Sequence, residues 1–195
     1  MNLTQDFEEA AIAYKSHLAH TIANAKKEIW SSGHYFHVEP FDFERGGFKQ
    51  GTLLTKEPAS TKQKYCYVFG KEDELLEIRQ GLSIANQFNR EFFFKENNIL
   101  KSCLYGSNEA IINVKARVYN QNKVSEVFLL GKRGSKYERY FYSNDVLTHI
   151  RVEQWNANEK GVPYDAILKY EDNKLIEIVN KFDNGYEEVR YKTAS

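Results

Sequence analysis

Between residues 65 and 191 the chain is punctuated at nearly even intervals. An aromatic residue stands before each of five polar turns: Phe69, Phe94, Tyr119, Tyr142 and Tyr170, at steps of 25, 25, 23 and 28 residues. Five or six residues after each comes an aliphatic one: Leu75, Ile99, Val124, Leu147 and Leu175. The turns are short and polar, as in Ser143-Asn144-Asp145 and Glu171-Asp172-Asn173-Lys174, and Asp183-Asn184-Gly185 turns the chain back once more. Alternating runs joined by such segments are the mark of consecutive antiparallel strands. The spacing predicts five successive hairpins, about ten strands, and a final half-hairpin near Tyr186 to Tyr191.

The alternation within the runs says which faces are buried. Ile112, Val114, Ala116 and Val118 make one clean apolar face, and Tyr164, Ala166, Leu168 and Tyr170 make another. Relative to the turn aromatic these are opposite sets, which requires a bulge or a changed loop length somewhere between them. Tyr65 to Phe69, Phe92 to Phe94 and Tyr140 to Tyr142 are apolar on both faces and need cover on both sides.

Upstream, residues 5–30 carry a helical stripe of Phe7, Ala11, Tyr14, Leu18, Ile22, Ala25 and Ile29. Asp6 with Glu9, or alternatively Thr4, supplies the N-terminal cap, Lys26 and Lys27 suit the far end of the dipole, and Ser31-Ser32-Gly33 stops the helix. His34 to Phe43 reads as a strand with Pro40 at an edge. Gly46-Gly47 reads as a turn, Phe48 to Thr55 as a partner strand and Lys56 to Lys64 as a surface loop. The expected architecture is α+β and mostly β: an N-terminal helix packed on a large, strongly curved antiparallel meander, an open barrel-like sheet of hairpins. It forms one domain over 1–195, with the helix in 1–33, edge strands and loop in 34–64, and the repeat sheet in 65–195.

Tyr170-Glu171-Asp172-Asn173-Lys174-Leu175-Ile176-Glu177-Ile178 resembles the Y-x-x-N-G-K-L-x-x unit of bacterial antitoxin-like hairpin repeats. It is similar also to the YD repeats of Rhs-type shells. The likeness extends over 65–191 as a spacing and is best over 164–191, with Lys174 standing where the unit has glycine. What the resemblance implies is a bacterial protein with an immunity or interaction role.

Charge and composition exclude several classes. Lys plus Arg and Asp plus Glu both number 27, so no net field steers the chain toward nucleic acid or an anionic membrane. No run approaches the 18 or so apolar residues of a membrane-spanning helix, and the acidic N-terminus lacks the apolar core of a signal peptide. Two cysteines, Cys66 and Cys103, point to a reducing, cytoplasmic setting, not a disulfide framework.

Candidate chemistry is sparse. His17 and His20, and His34 and His37, have metal-ligand spacing, but the first pair lies off the apolar stripe and the second falls on opposite faces of a strand; no metal is expected. Cys66 or Cys103 with His149 is a conceivable nucleophile and base, yet both cysteines are flanked by strand residues and read as structural. The basic stretch from Gly131 to Tyr140 reads as a solvated hairpin connection before it reads as a phosphate site. The remaining candidates are interface anchors: Tyr65, Tyr67, Arg133, Arg139, Tyr140, Tyr142 and Trp155. The reading is a non-enzymatic protein-binding module, an immunity-like protein that sequesters another protein, with no cofactor. A small-molecule or lipid carrier with a cavity between helix and sheet is the alternative, and an unrecognised hydrolase the third.

Overall fold

The computed structural model describes residues 2–84, 86–156 and 159–193. It is mostly β, with an N-terminal helix α1 (Leu3–Asn24), a short helix α2 (Asp42–Gly46) and twelve strands. These are β1 (Lys27–Ser31), β2 (Tyr65–Phe69), β3 (Leu75–Gly81), β4 (Phe88–Glu96), β5 (Ile99–Tyr105) and β6 (Ile111–Asn120). The series continues with β7 (Lys123–Gly131), β8 (Gly134–Ser143), β9 (Val146–Asn156), β10 (Tyr164–Glu171), β11 (Lys174–Phe182) and β12 (Glu187–Lys192). They run as an antiparallel meander in chain order, with β1 and β12 at the two edges, so the sheet does not close on itself. All five predicted hairpins are present, each aromatic within the last three residues of its strand and each aliphatic within the first two of the next. Among the described residues no helix is long and apolar enough to cross a membrane.

The turn glycine that the repeat lacks is replaced by residues that tolerate the left-handed region. Gln121-Asn122, Asn144-Asp145 and Asp172-Asn173 all have positive φ, between 47° and 67°. Two consecutive residues there make the type I′ turn, whose twist matches the flanking strands. Asn and Asp adopt it through their short polar side chains at a lower cost than other residues with a Cβ.

The residues pack as two compact units, one from 1–36 and 50–116, the other from 37–49 and 117–195. In the first, α1 lies on the face of β4 and β5 that carries Phe92, Phe94 and Tyr105. Tyr14 meets Phe92 and Tyr105 edge-on at 5.9 and 5.2 Å, and the Tyr105 hydroxyl donates to the Ala10 carbonyl at 2.8 Å. On the same face Glu77 is fully buried between Arg79 (3.0 Å) and Arg90 (2.8 Å). The other face is covered by the chain beyond β1. Phe36 stands edge-on to Tyr67 and Phe69, and the Tyr35 N–H donates to the Tyr67 hydroxyl at 2.8 Å. The two-sided run Tyr65–Phe69 thus has cover on both sides.

Three local expectations are corrected. The helix ends at Asn24, and Ile29 and Trp30 belong to β1, paired with Tyr67 and Cys66. The stripe is right at Tyr14, which packs on the sheet, and wrong at Ala11 and Ile22, which are exposed, Ile22 to 69%; Ala10 and Thr21 are the buried helix residues and His17 is on the packed side. The cap is Asn2, whose side-chain oxygen accepts from the Gln5 N–H at 3.2 Å. Residues 34–43 form no strand. They lead into α2, which starts after Phe41 in the left-handed region and stops at Gly47.

In the second unit one face of β7–β11 forms the core. Val124, Val127, Tyr140, Leu147, Ile150, Val152, Ala166, Leu168 and Ile178 pack together, with Phe41, Tyr164 and Tyr191 against them. The expectation for Ala166 and Leu168 holds, and the register shifts at Tyr142 and Tyr170 mark bulges next to the turn aromatics. Replacing Asn173 by Gly should raise stability by about 0.5 kcal/mol, as relief at positive φ outweighs the added chain entropy, whereas Asn173→Val should cost more than about 1 kcal/mol. Urea midpoints of the two variants check this.

Candidate interaction face

The strand register of the second unit sorts its side chains into rows. In β8, Glu138 and Tyr140 point into the core while Tyr137, Arg139 and Phe141 point out. Following the pairing outward from Phe141 gives one row of mainly apolar residues, Phe141, His149, Ile167, Val179 and Val189. The adjacent row is charged: Glu126, Arg139, Arg151, Asp165, Lys181 and Glu187. Beyond it lie Phe128, Tyr137 and Glu153, then Leu130, Ser135 and Trp155.

Side chains in these rows hold each other in place. Phe128 and Tyr137 stack at 4.7 Å, and Phe141 and His149 stack at 4.3 Å with planes 5° apart. Such cross-strand pairs contribute about 0.5–1.5 kcal/mol beyond their burial. The Tyr137 hydroxyl donates to Glu126 at 2.5 Å and accepts from Arg139 Nε at 3.1 Å, and the Arg139 guanidinium sits 5.6 Å from the Tyr137 ring. Partial burial and the Glu126 carboxylate raise the Tyr137 phenol, so it is neutral at pH 7. Arg151 makes a forked pair with Asp183 (2.7 and 2.6 Å), and Lys160 lies 5.5 Å from the Trp155 ring. Arg139 remains 55% exposed, Phe141 36% and Val189 57%.

Of the anchors named from sequence, Arg139 and Trp155 lie on this face, and Arg133 is exposed in the turn between β7 and β8. Tyr140 and Tyr142 point the other way, their hydroxyls bonded to Glu138 (2.7 Å) and to the Val124 carbonyl (3.0 Å). Tyr65 and Tyr67 are buried in the first unit. Sequence reasoning missed Phe128, Tyr137, Phe141 and His149. The available signal was the phase of alternation across Tyr137–Tyr142, masked because Glu138, formally polar, is on the buried side.

Beneath the core face α2 brings a buried polar cluster. Arg45 pairs with Glu138 at 2.5 Å and donates to the Tyr140 hydroxyl at 2.9 Å, and Lys136 reaches Glu138 at 2.7 Å. Nearby Arg117 pairs with Glu39 at 2.9 Å, both nearly inaccessible. Burial opposes the Glu138 charge, but the Arg45 and Lys136 cations win and hold its carboxyl below the usual range. His37 is raised by its contact with Asp42 at 2.6 Å, against the opposing effect of burial.

The first unit holds a cleft of 310 Å³ lined by Asp6, Glu9, His17, Phe94, Lys101 and Cys103, among others. Lys101 donates to Asp6 Oδ1 at 3.2 Å, and Asp6 Oδ2 is buried with no hydrogen-bond partner among the described residues. Burial lowers the His17 pKa, with His20 adding to it. The histidines are dispersed: His17 faces Tyr105, His34 faces Tyr65, His37 faces Asp42 and His149 stacks on Phe141. Among the described residues no three His, Cys, Asp or Glu side chains gather as a metal site. Cys66 and Cys103 are free and buried, and burial pushes both thiols up to about 12.

The Arg45→Met variant should lose about 3 kcal/mol, because Glu138 stays buried with Lys136 as the one cation left of the two that now contact it. Arg45→Met with Glu138→Leu should recover part of that loss in a double-mutant cycle by urea denaturation. Glu138, with its folded pKa depressed, contributes stability above the usual glutamate value of 4.5 that is lost as pH falls through the folded value. The double variant should therefore show a flatter decline in stability below pH 4.5. Both thiols should resist alkylation at pH 8 in the native state and react on unfolding, as counted by intact mass.

Compared with known proteins, the chain matches no protein-family model, no curated protein and no solved structure.

Proposed function

We propose that this chain is a non-enzymatic binding module that engages another protein through the outward face of β7–β10. One observation carries the reading: aromatic and arginine side chains stand in fixed rows on that face, while the core face of the same strands packs against the chain's own residues 37–49. Tyr, Phe, Trp and Arg are the residues that anchor protein interfaces. Stacking of Phe128 on Tyr137 and of Phe141 on His149 orders these groups before any partner arrives, which lowers the entropic cost of binding. The mixed signs of the adjacent charged row favour a protein surface over a polyanion. The likeness of residues 170–178 to antitoxin-like hairpin repeats extends the proposal to sequestration of a partner in an immunity role, in a reducing bacterial cytoplasm where Cys66 and Cys103 stay as thiols.

A second reading has its own support. The cleft beneath α1 contains a buried acceptor, Asp6 Oδ2, without a donor among the described residues, in a lining that includes the apolar ring of Phe94. That suits a small ligand with a hydrogen-bond donor and an apolar body.

A photo-crosslinking residue at position 139 should capture one discrete protein in the source cell, and the same residue at the exposed Lys71 should not. Phe128→Ala with Tyr137→Ala should abolish the capture while leaving the far-UV spectrum unchanged. Equal capture from positions 71 and 139, or none from either, removes the proposal. A small molecule retained in native mass spectra, lost on Asp6→Leu, moves the function to the cleft.

A further inference from the structure

The two edges of the sheet are treated differently. The outer side of β1 is taken by the chain itself: Leu53 bridges to Ser31, the Leu54 N–H donates to the Trp30 carbonyl at 2.8 Å, and the Ser32 N–H donates to Thr52 at 2.9 Å. The outer side of β12 has no partner strand among the described residues. The Phe182 N–H donates to the Tyr186 carbonyl at 2.8 Å. From there the alternation of an antiparallel ladder turns the backbone of Glu188 toward β11 and that of Glu187 and Val189 away from it.

The side chains of this edge have an order. Glu187 opens the strand and Lys192 closes it, and the pairing with Lys181 and Glu177 puts both on the outward face of the sheet. They are 55% and 72% exposed. Between them Val189, 57% exposed, ends the apolar row that begins at Phe141. A strand with acid at one end and base at the other is complementary to an antiparallel copy of itself. We infer that β12 is a self-association edge, which pairs antiparallel with β12 of a second copy of this chain, Glu187 opposite Lys192 of that copy.

The two-fold axis of such a pair makes two Glu187–Lys192 contacts at once, on one face of the joined sheet, and sets the two Val189 side chains near the axis. A lysine and a bulge on an edge are ordinary guards against strand pairing. Here the lysine meets a glutamate when the copy runs antiparallel, so the same charge admits this partner and repels a parallel one. The bulge, which inserts Arg190 opposite the step from Ile178 to Val179, turns that side chain to the backbone of α2 at Arg45 (3.4 Å), away from the outward face. The contact is short, six residues a side, which corresponds to a weak and reversible dimer.

Sedimentation of the full chain up to roughly 0.5 mM, where small contacts become populated, tests this. The mean mass of the wild type should rise from monomer toward dimer. Glu187→Lys and Lys192→Glu should each stay monomeric alone, since they set like charges opposite one another. An equimolar mixture of the two should associate again, because every contact in the mixed pair is then Lys against Glu. A wild type that is monomeric throughout overturns the inference. So do charge reversals that associate as the wild type does, or a mixture that stays monomeric.

Discussion

Register is the constraint on which the rest of this molecule depends. In an antiparallel meander a slip of one residue moves every side chain of a strand to the opposite face. Here three of the turns are two residues long with both residues at positive φ, at Gln121-Asn122, Asn144-Asp145 and Asp172-Asn173. That geometry admits little slippage, so each turn fixes the strand that follows it. The bulges opposite Tyr142 and Tyr170 each add a residue to the strand after the turn, Thr148 in β9 and Ile176 in β11, which lets Leu147 and Leu175 face the core beside those aromatics. The two tyrosine hydroxyls reach the carbonyls of Val124 and Leu147 at 3.0 and 2.9 Å, linking one hairpin to the strand beside it.

Fixed register has a chemical consequence at Glu138. Its neighbours Tyr137 and Arg139 are outward, so its carboxylate is committed to the core face whether or not a partner is there. A lone carboxylate in that position would cost several kcal/mol, of the order assigned to uncompensated buried charge. Residues 37–49 supply the answer. Phe43 is buried and holds α2 in place, and Arg45 reaches Glu138 and Tyr140 together. The same segment brings Glu39 to Arg117. Two buried ion pairs tie a stretch of chain without strand structure to a sheet. A buried pair adds little to stability compared with an apolar filling, and its geometric demand is what selects one placement of the segment.

The legible and illegible parts of the sequence divide along the same line. Hairpins were legible because the aromatic-to-aliphatic interval depends only on local turn length, as at Phe94 and Ile99. The end of α1 was not, because Ala25 and Ile29 satisfy a helical period while β1 is set by a long-range pairing with Tyr65–Phe69. Within the segment 34–49, residues 34–43 were misread as strand because Phe36, Val38, Phe41 and Phe43 are apolar enough for one. Their partners, Tyr67 for Phe36 and the buried cluster near Glu138 for Arg45, lie far away in sequence. Arg139 and Trp155, named by residue type alone, lie on the outward face. Tyr140 and Tyr142 were misplaced, since a run that is aromatic on both sides gives no sign of its phase.

Stability alone accounts poorly for the outward rows. Exposed ion pairs such as Arg139 with Glu126, 3.9 Å apart, contribute between nothing and about 1 kcal/mol. The stacked pairs do more, and any two β-branched or aliphatic residues in register would serve the sheet nearly as well. What the aromatic choices add is a surface whose geometry is set in advance. Tyr137 is held from below by Phe128, from one side by Glu126 and from the other by Arg139, so three different interactions converge on one phenol ring. A ring fixed in that way gives up little rotamer freedom when another molecule covers it. The twist and pleat that order the core face thus order the outward face as well, and the side chains ordered there are of the types that suit contact with a second protein.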